Sequence, residues 1–280
     1  MKTVEPGIYP EMSNEEYHAS EGISKSGISL ILESPLKYKS RYIDLIGQET
    51  TPAMAIGSAT HTAVFEPEKF NAEYAVCPKC DKRTKEGKAV YADFLESAGE
   101  KTVIGEDDSA QIKQMREAVY NHPVAGPLVS HPFKMIEHSI YCQHSATGLL
   151  VKIRPDCIIE GRQMIVDLKT TTNASAGAFS SSCVGYTYHI QAGMYLVIAR
   201  QHGIDVNEFV FVAVEKTAPF SVGVYRADKE MIALGYDEFE RAMELYAKCM
   251  ELHSWPGYNG DQMTTIGLPT WAARMISFKD

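Results

Sequence analysis

The sequence has no apolar run approaching the roughly 18 residues that a membrane-crossing helix needs, so a transmembrane protein is not expected. Its opening residues, MKTVEPGIYPEMSNEEYH, lack the apolar stretch of a secretory leader, and the expected location is cytoplasmic. Cysteine is sparse. Cys77, Cys80, Cys142, Cys157, Cys183 and Cys249 are scattered, mostly among apolar neighbours, which argues against a disulfide framework. Only CPKC, Cys77 to Cys80, has metal-ligand spacing, and no second pair follows to complete four ligands. A metal-free loop is favoured there over half of a zinc site, and sequence leaves both open. There is also no excess of basic residues: the net charge of −9 argues against coating nucleic acid by phosphate neutralisation alone, while leaving room for a locally basic cleft. Two basic clusters, one with Lys37, Lys39 and Arg41 and one from Lys79 to Lys88, read as solvated surface. Internal repeats, low-complexity tracts and a long linker are missing too, so one elaborated domain over residues 1 to 280 is the simplest expectation.

What is present is a well-supplied core, 45% of the residues being apolar, arranged in two successive characters. After an irregular start, ISKSGISLILESP reads as a helix capped by Ser24 or Ser26 and stopped before Pro35. AMAIGSATHTAVFEPEKF has helical spacing up to Pro67 and carries His61. A basic loop follows, then helices near residues 87 to 98 and 107 to 121, broken by Gly99 and Pro123. From Phe133 the runs FKMIEHSIYCQ, LLVKIRPDCII and QMIVDLKTT are rich in β-branched and apolar residues, as in an antiparallel meander. A Ser-rich loop, the helix GYTYHIQAGMYLVIARQHG, two more strands, and a long amphipathic helix from about Asp228 to Leu252 complete the pattern. The expected fold class is α/β, a sheet flanked by helices.

Within the meander, IRPDCIIEGRQMIVDLKTT puts acids where a sheet would bury Val or Ile. A two-residue II′ turn at Gly161 and Arg162 sets Asp156 directly opposite Asp167. Strand alternation brings Lys169 out on the face of Asp167, within diagonal reach of both acids. Like charges facing each other destabilise a sheet, and a hard divalent cation would compensate them. Mg²⁺ accepts one or two carboxylates together with waters and phosphate oxygens, and a neighbouring lysine can orient a water or stabilise developing charge. The chemistry such a patch suits is phosphodiester hydrolysis.

At RPD and VDLK the sequence resembles the PD-(D/E)xK nuclease superfamily, Pro155-Asp156 matching the first half of its motif and Asp167-Leu168-Lys169 the second. GSATHTAVFEP resembles the histidine-bearing helix of the RecB-like branch, and QAGMY, Gln191 to Tyr195, its Gln-x-x-x-Tyr element. The stretches GISKSGISLILESPLKY, GSATHTAVFEPEKF and RTKEGK together look most like the RecE-type exonuclease VIII nuclease domain, a resemblance running from about Gly7 to Pro256. It implies a restriction-endonuclease-like fold with a central mixed β-sheet flanked by helices, here with a helical N-terminal elaboration over about 1 to 125 and a catalytic sheet core over about 133 to 252. It also implies that His61, Asp156 and Asp167 ligate Mg²⁺, with Mn²⁺ as a substitute and the Leu168 carbonyl as a further ligand, and that Lys169 acts on the attacking water. Gln191 and Tyr195 would contact the DNA backbone or brace the lysine. The activity implied is digestion of linear duplex DNA from the 5′ end, leaving 3′ overhangs for a single-strand-annealing protein of RecT type. A ring-shaped homotetramer is implied as well. Glu66 and Glu137 are nearby acids that could join the metal shell, although strand alternation does not place Glu137.

Two other readings compete. One is a RecB-like or Cas4-like nuclease of single strands, many of which bind an iron–sulfur cluster through late cysteines, whereas here only Cys249 lies late in the chain. The other is a non-catalytic scaffold that binds DNA ends, for which loss of an acid or of the lysine is expected, and none is lost.

Overall fold

The computed structural model describes residues 3–47, 51–81, 83–260 and 262–273. The N-terminal half is largely helical: β1 (Gly7–Tyr9), α1 (Asn14–Ala19), α2 (Lys25–Glu33), α3 (Pro35–Tyr38), α4 (Pro52–Phe65), α5 (Pro67–Glu73), β2 (Tyr74–Cys77), α6 (Lys85–Ala98), β3 (Thr102–Gly105), α7 (Glu106–Asn121) and α8 (Ala125–Val129). The sheet-rich half holds β4 (Met135–Ile136), β5 (Ser139–Gln143), β6 (Leu150–Ile153), β7 (Cys157–Ile159), β8 (Met164–Thr171), α9 (Ala176–Gly185), α10 (Tyr188–Gln201), β9 (Glu208–Glu215), β10 (Val222–Arg226) and α11 (Lys229–Leu252). Local chemistry explains several boundaries. Thr51 and Thr84 accept amide hydrogen bonds at the starts of α4 and α6, Asp228 does so for α11, and prolines open α3, α4 and α5.

The main sheet runs β10-β9-β8-β7-β4, and β8 and β9 are its parallel pair. Alternation sends the two faces of its strands into two cores. Ile158, Ile165, Phe209, Phe211 and Ala213 pack under α2, α10 and α11; Cys157, Ile159, Val166, Leu168, Val210, Val212 and Val214 pack under α4, α7 and α8. This is the restriction-endonuclease-like mixed sheet flanked by helices. A smaller sheet, β1-β5-β6, lies beside it, and β2 pairs with β3 in parallel.

Four sequence expectations need correction. The hairpin register is as expected, with Cys157 opposite Val166 and Ile159 opposite Met164, but its turn is a 3₁₀ turn over Glu160–Arg162 followed by Gln163 at φ 54°, not a two-residue II′ turn. The run LLVKIRPDCII is two strands in two sheets, because Pro155 offers no N–H and the chain bends at Asp156. The Ser-rich segment before α10 is itself a helix, α9, since Phe179 and Cys183 face the core one turn apart. The start is not irregular: Ser13 and Glu16 form a capping box that opens α1.

Candidate active site

β8 is paired with β9 along all eight residues but with β7 only over Met164, Ile165 and Val166. From Asp167 to Thr171 its β7-side edge is open, because the neighbouring chain leaves the sheet at Pro155 and Asp156. An open edge leaves amides that need partners. Here the Leu168 N–H donates to Asp156 Oδ2 at 2.7 Å, so a carboxylate stands where a strand carbonyl would. The sequence thus places Asp156 as the acid that ends the ladder, and the open edge becomes the floor of a cleft.

Around that floor the side chains meet. His61 from α4 brings Nδ1 to 3.1 Å from Asp156 Oδ2, and its side chain keeps a quarter of its surface exposed, 25%. Lys169 Nζ lies 2.5 Å from Asp167 Oδ1 and donates to Gln191 Oε1 at 3.0 Å. Gln191 Nε2 in turn donates to Asp167 Oδ2 at 2.5 Å, closing a triangle in which α10 holds both the acid and the lysine. The Lys169 ammonium also sits 4.6 Å from the centre of the Tyr188 ring.

The protonation equilibria follow from burial and charge. Asp167 is fully buried, and desolvation pushes its carboxyl up to about 6 despite Lys169. Burial acts the same way on Asp156, yet His61, Lys169 and the Leu168 amide outweigh it and hold that carboxyl below the usual range. Burial opposes the charged forms of His61 and Lys169, but the two aspartates raise both. The pair of acids is therefore split: one is readily ionised, and the other is held close to the point of protonation.

A third acid joins them. Glu137, between β4 and β5, adopts the left-handed backbone at φ 52°, and its amide donates to the Asp156 carbonyl at 3.2 Å. Arg154 Nε donates to Glu137 Oε2 at 2.7 Å, while the same guanidinium holds Ser139 Oγ at 2.6 Å and the Met12 carbonyl at 2.9 Å. Burial and the nearby Asp156 push the Glu137 carboxyl up to about 7, against the pull of Arg154. Ligand atoms of His61, Glu137 and Asp156 all lie within 4.8 Å of one another, the one such cluster among the described residues. One imidazole nitrogen and carboxylate oxygens form a donor set suited to a hard or borderline divalent cation. Asp167 stands beside that cluster with its oxygens engaged by Lys169 and Gln191.

The remaining sequence candidates fall in different places. Leu168 has its side chain in the core under α4, α7 and α8 and its amide on Asp156. Tyr195 shares a helix face with Gln191 but lies in the core under α2, α10 and α11, 7% exposed, against Phe209 and in contact with the Arg154 backbone; burial raises its phenol far above the ordinary value. It braces the chain just before Asp156 and does not line the cleft. Glu66 does line the cleft, paired with Lys69 at 3.3 Å. Glu137 is the residue that sequence periodicity could not place, because its left-handed backbone interrupts the strand alternation that would predict its direction.

The cleft measures about 710 Å³. Its walls are rich in hydroxyls, with Ser26, Ser58, Thr62, Thr170, Thr171 and Ser182 among them, and Lys169 and Lys216 contribute positive charge. Backbone phosphates suit such a lining. The expected basic surface clusters are elsewhere and are largely matched by acids: Lys37 with Glu33, Lys39 with Asp44, Lys79 with Asp107 and Arg83 with Asp81; Lys82 lies outside the described residues.

This architecture is that of the PD-(D/E)xK class of folds. Residues 24–264 match the family model described as a PDDEXK-like domain of unknown function (DUF3799), and the chain is a member of that family. Among solved structures it is similar to a "Putative exonuclease" from Eubacterium rectale, at 13% identity and a TM-score of 0.62, over 94% of this chain and 98% of the other. A second match, SSO0001, has 12% identity and a TM-score of 0.29, over 79% of this chain and 85% of that one. The search of curated proteins finds no match.

Proposed function

We propose that the protein is a divalent-metal-dependent DNA exonuclease of RecE type, cutting linear duplex DNA from the 5′ end and leaving 3′ overhangs. One observation carries the reading: the His61, Glu137 and Asp156 donor cluster and the Asp167, Lys169 and Gln191 triangle meet at one open strand edge in a hydroxyl-lined cleft. His61, Glu137 and Asp156 would hold the cation, Mg²⁺ with Mn²⁺ as a substitute, and Asp167 and the Leu168 carbonyl are the further ligands that the nuclease motif suggests. Bound there, the cation would supply Lewis-acid stabilisation of a phosphoryl oxygen and a more acidic water.

The chain's own groups supply the rest. Lys169, kept charged by two aspartates, orients a water on the phosphate or stabilises negative charge gathering there. Gln191 bonds both the ammonium and Asp167 and so fixes the position of the pair. Serine and threonine hydroxyls and Lys216 position the sugar-phosphate backbone. The name of the Eubacterium rectale neighbour agrees with this reading. Assembly as a ring-shaped homotetramer, a single domain spanning residues 1 to 280, a cytoplasmic location, and hand-over of the overhang to a RecT-type annealing protein belong to the same proposal.

The test is digestion of end-labelled linear duplex and of a covalently closed circle, with Mg²⁺ or EDTA. Loss of the linear substrate alone, from the 5′ end and only with metal, is expected. Asp167→Ala and Lys169→Ala should each abolish cutting by at least about 10³-fold while the proteins still fold and bind DNA ends. Equal cutting of the circle would replace the exonuclease with an endonuclease. Full activity of Lys169→Ala would remove that residue from the chemistry.

A further inference from the structure

One wall of the cleft has no role in the metal and lysine chemistry above. Tyr186 lines the cleft with 66% of its surface exposed, and its ring stacks on Tyr188 with centroids 5.6 Å apart and planes 28° from parallel. The Tyr188 ring is the one that sits 4.6 Å from Lys169 Nζ. Tyr186 is therefore separated from the reacting lysine by one aromatic ring.

The turn that presents it is built and strained. Thr187 adopts the left-handed backbone at φ 55°, which a β-branched residue rarely does. α2 pins the same turn from below: Lys25 Nζ donates to the Tyr186 carbonyl at 2.6 Å, and Ser29 Oγ bonds Thr187 Oγ1 at 2.7 Å. Lys25 is also 5.4 Å from the centre of the Tyr188 ring. Fold stability gains nothing evident from holding an aromatic in solvent on such a turn. An exposed ring stacked on the aromatic that faces Lys169 offers a flat π surface at the wall of the cleft.

We propose that Tyr186, backed by Tyr188, is a stacking platform for an unpaired nucleobase of the strand being cut, seating that nucleotide so that its phosphate meets Lys169. Stacking of this kind is sequence-tolerant and recurs in single-strand binding. The inference rests on the nuclease reading and adds that the end of the cut strand is held unpaired in the cleft. Tyr186 acts as a substrate-positioning residue, and the metal donors do not depend on it.

The experiment compares the unaltered protein with Tyr186→Ala, Tyr186→Leu and Tyr186→Phe on duplexes carrying a single abasic nucleotide, moved through the terminal six positions of the cleaved strand. Tyr186→Ala and Tyr186→Leu should raise KM about tenfold with little change in kcat, and Tyr186→Phe should restore it. At one abasic position the unaltered protein should fall to the level of Tyr186→Ala, and Tyr186→Ala should be indifferent to that lesion. Binding of a 2-aminopurine oligonucleotide in EDTA gives an independent readout: quenching with the unaltered protein and with Tyr186→Phe, none with Tyr186→Ala or Tyr186→Leu. An active enzyme with unchanged KM in Tyr186→Ala, or with the same abasic profile in both proteins, would overturn the platform alone. No cutting and no oligonucleotide binding by the unaltered protein would overturn the nuclease reading and the platform with it.

Discussion

Gln191 shows how much a single side chain can hold. It donates to Asp167 and accepts from Lys169, and it is buried. Gln191→Leu would leave a buried carboxylate oxygen without its donor, a loss of about 1–3 kcal/mol. The expected result in a thermal melt is a Tm about 2–10 °C lower, with cleavage falling further than stability explains. A melt indistinguishable from the unaltered protein would mean that Lys169 alone satisfies Asp167. The acids also set a pH trend. In the folded chain Asp167 and Glu137 hold protons up to about 6 and about 7, and His61 is raised as well, so the folded state binds more protons than the unfolded one. Metal-free protein should lose stability as pH rises from about 4.5 to about 7. Melts in EDTA across that range check the sign, and Asp167→Asn should flatten the slope; a rise in Tm with pH would contradict the burial of these acids. At this scale the sequence was readable wherever strand alternation held: Asp167 and Lys169 meet on one face of β8, and Asp156, one residue beyond the ladder, reaches them through the Leu168 amide. Glu137 and Tyr195 escaped it, one because its backbone turns left-handed and the other because a shared helix face does not tell cleft from core.

Among the elements, α10 is the one on which the site depends most. It is buried on nearly all sides, between the sheet and α11, and carries Gln191 to the acids. α10 and α11 approach closely through glycines: a methyl group on Gly235 would fall 1.8 Å from the His189 carbonyl oxygen, and one on Gly193 2.3 Å from the Tyr236 nitrogen. Two part-buried hydrogen bonds, His189 Nε2 with Glu238 Oε2 at 2.8 Å and His144 Nε2 with Glu240 Oε2 at 3.1 Å, fix the register of α11. Gly235→Ala should therefore push the helices apart, destabilise the protein by about 1–3 kcal/mol, and lower activity through displaced Gln191. A Gly235→Ala protein with normal melting and normal cleavage would show that α11 shifts without moving α10. Most elements were legible from periodicity and punctuation, α2, α4, α7, β9 and α11 among them. α9 was not, because serine-rich composition signals a loop and only tertiary burial of Phe179 and Cys183 makes it helical. The split of β6 from β7 follows from Pro155, whose effect on the ladder was present in the sequence but was outweighed by the apolar run around it.

For the molecule as a whole, charge is the governing quantity. With a net charge of −9, and with Lys69, Lys169 and Arg154 of the cleft already facing acids, few cations are free to release counterions from DNA. Affinity for a DNA end should fall with salt at a log–log slope no steeper than about −3, measured by anisotropy between 50 and 300 mM salt. A slope near −6 would point to a DNA surface shared between copies, outside the single-chain cleft. Charge was fully readable from the sequence; the hydroxyl-lined cleft was not, since it draws on residues from α1 to β10's preceding loop that meet only in the fold.

Arg154 ties Glu137 to the Met12 carbonyl, His61 reaches Asp156 from α4, and Gln191 reaches back to Asp167. Each link spans a long stretch of chain, and non-local links form after local ones because loop closure comes first. A ribosome-bound chain that has emerged only as far as β8 has the motif residues but lacks α10, so Gln191 is not there to hold Lys169 and Asp167 together. On the proposed nuclease reading, cutting competence would thus arrive only once α10 has been made and packed, and a shorter product of synthesis would be inactive.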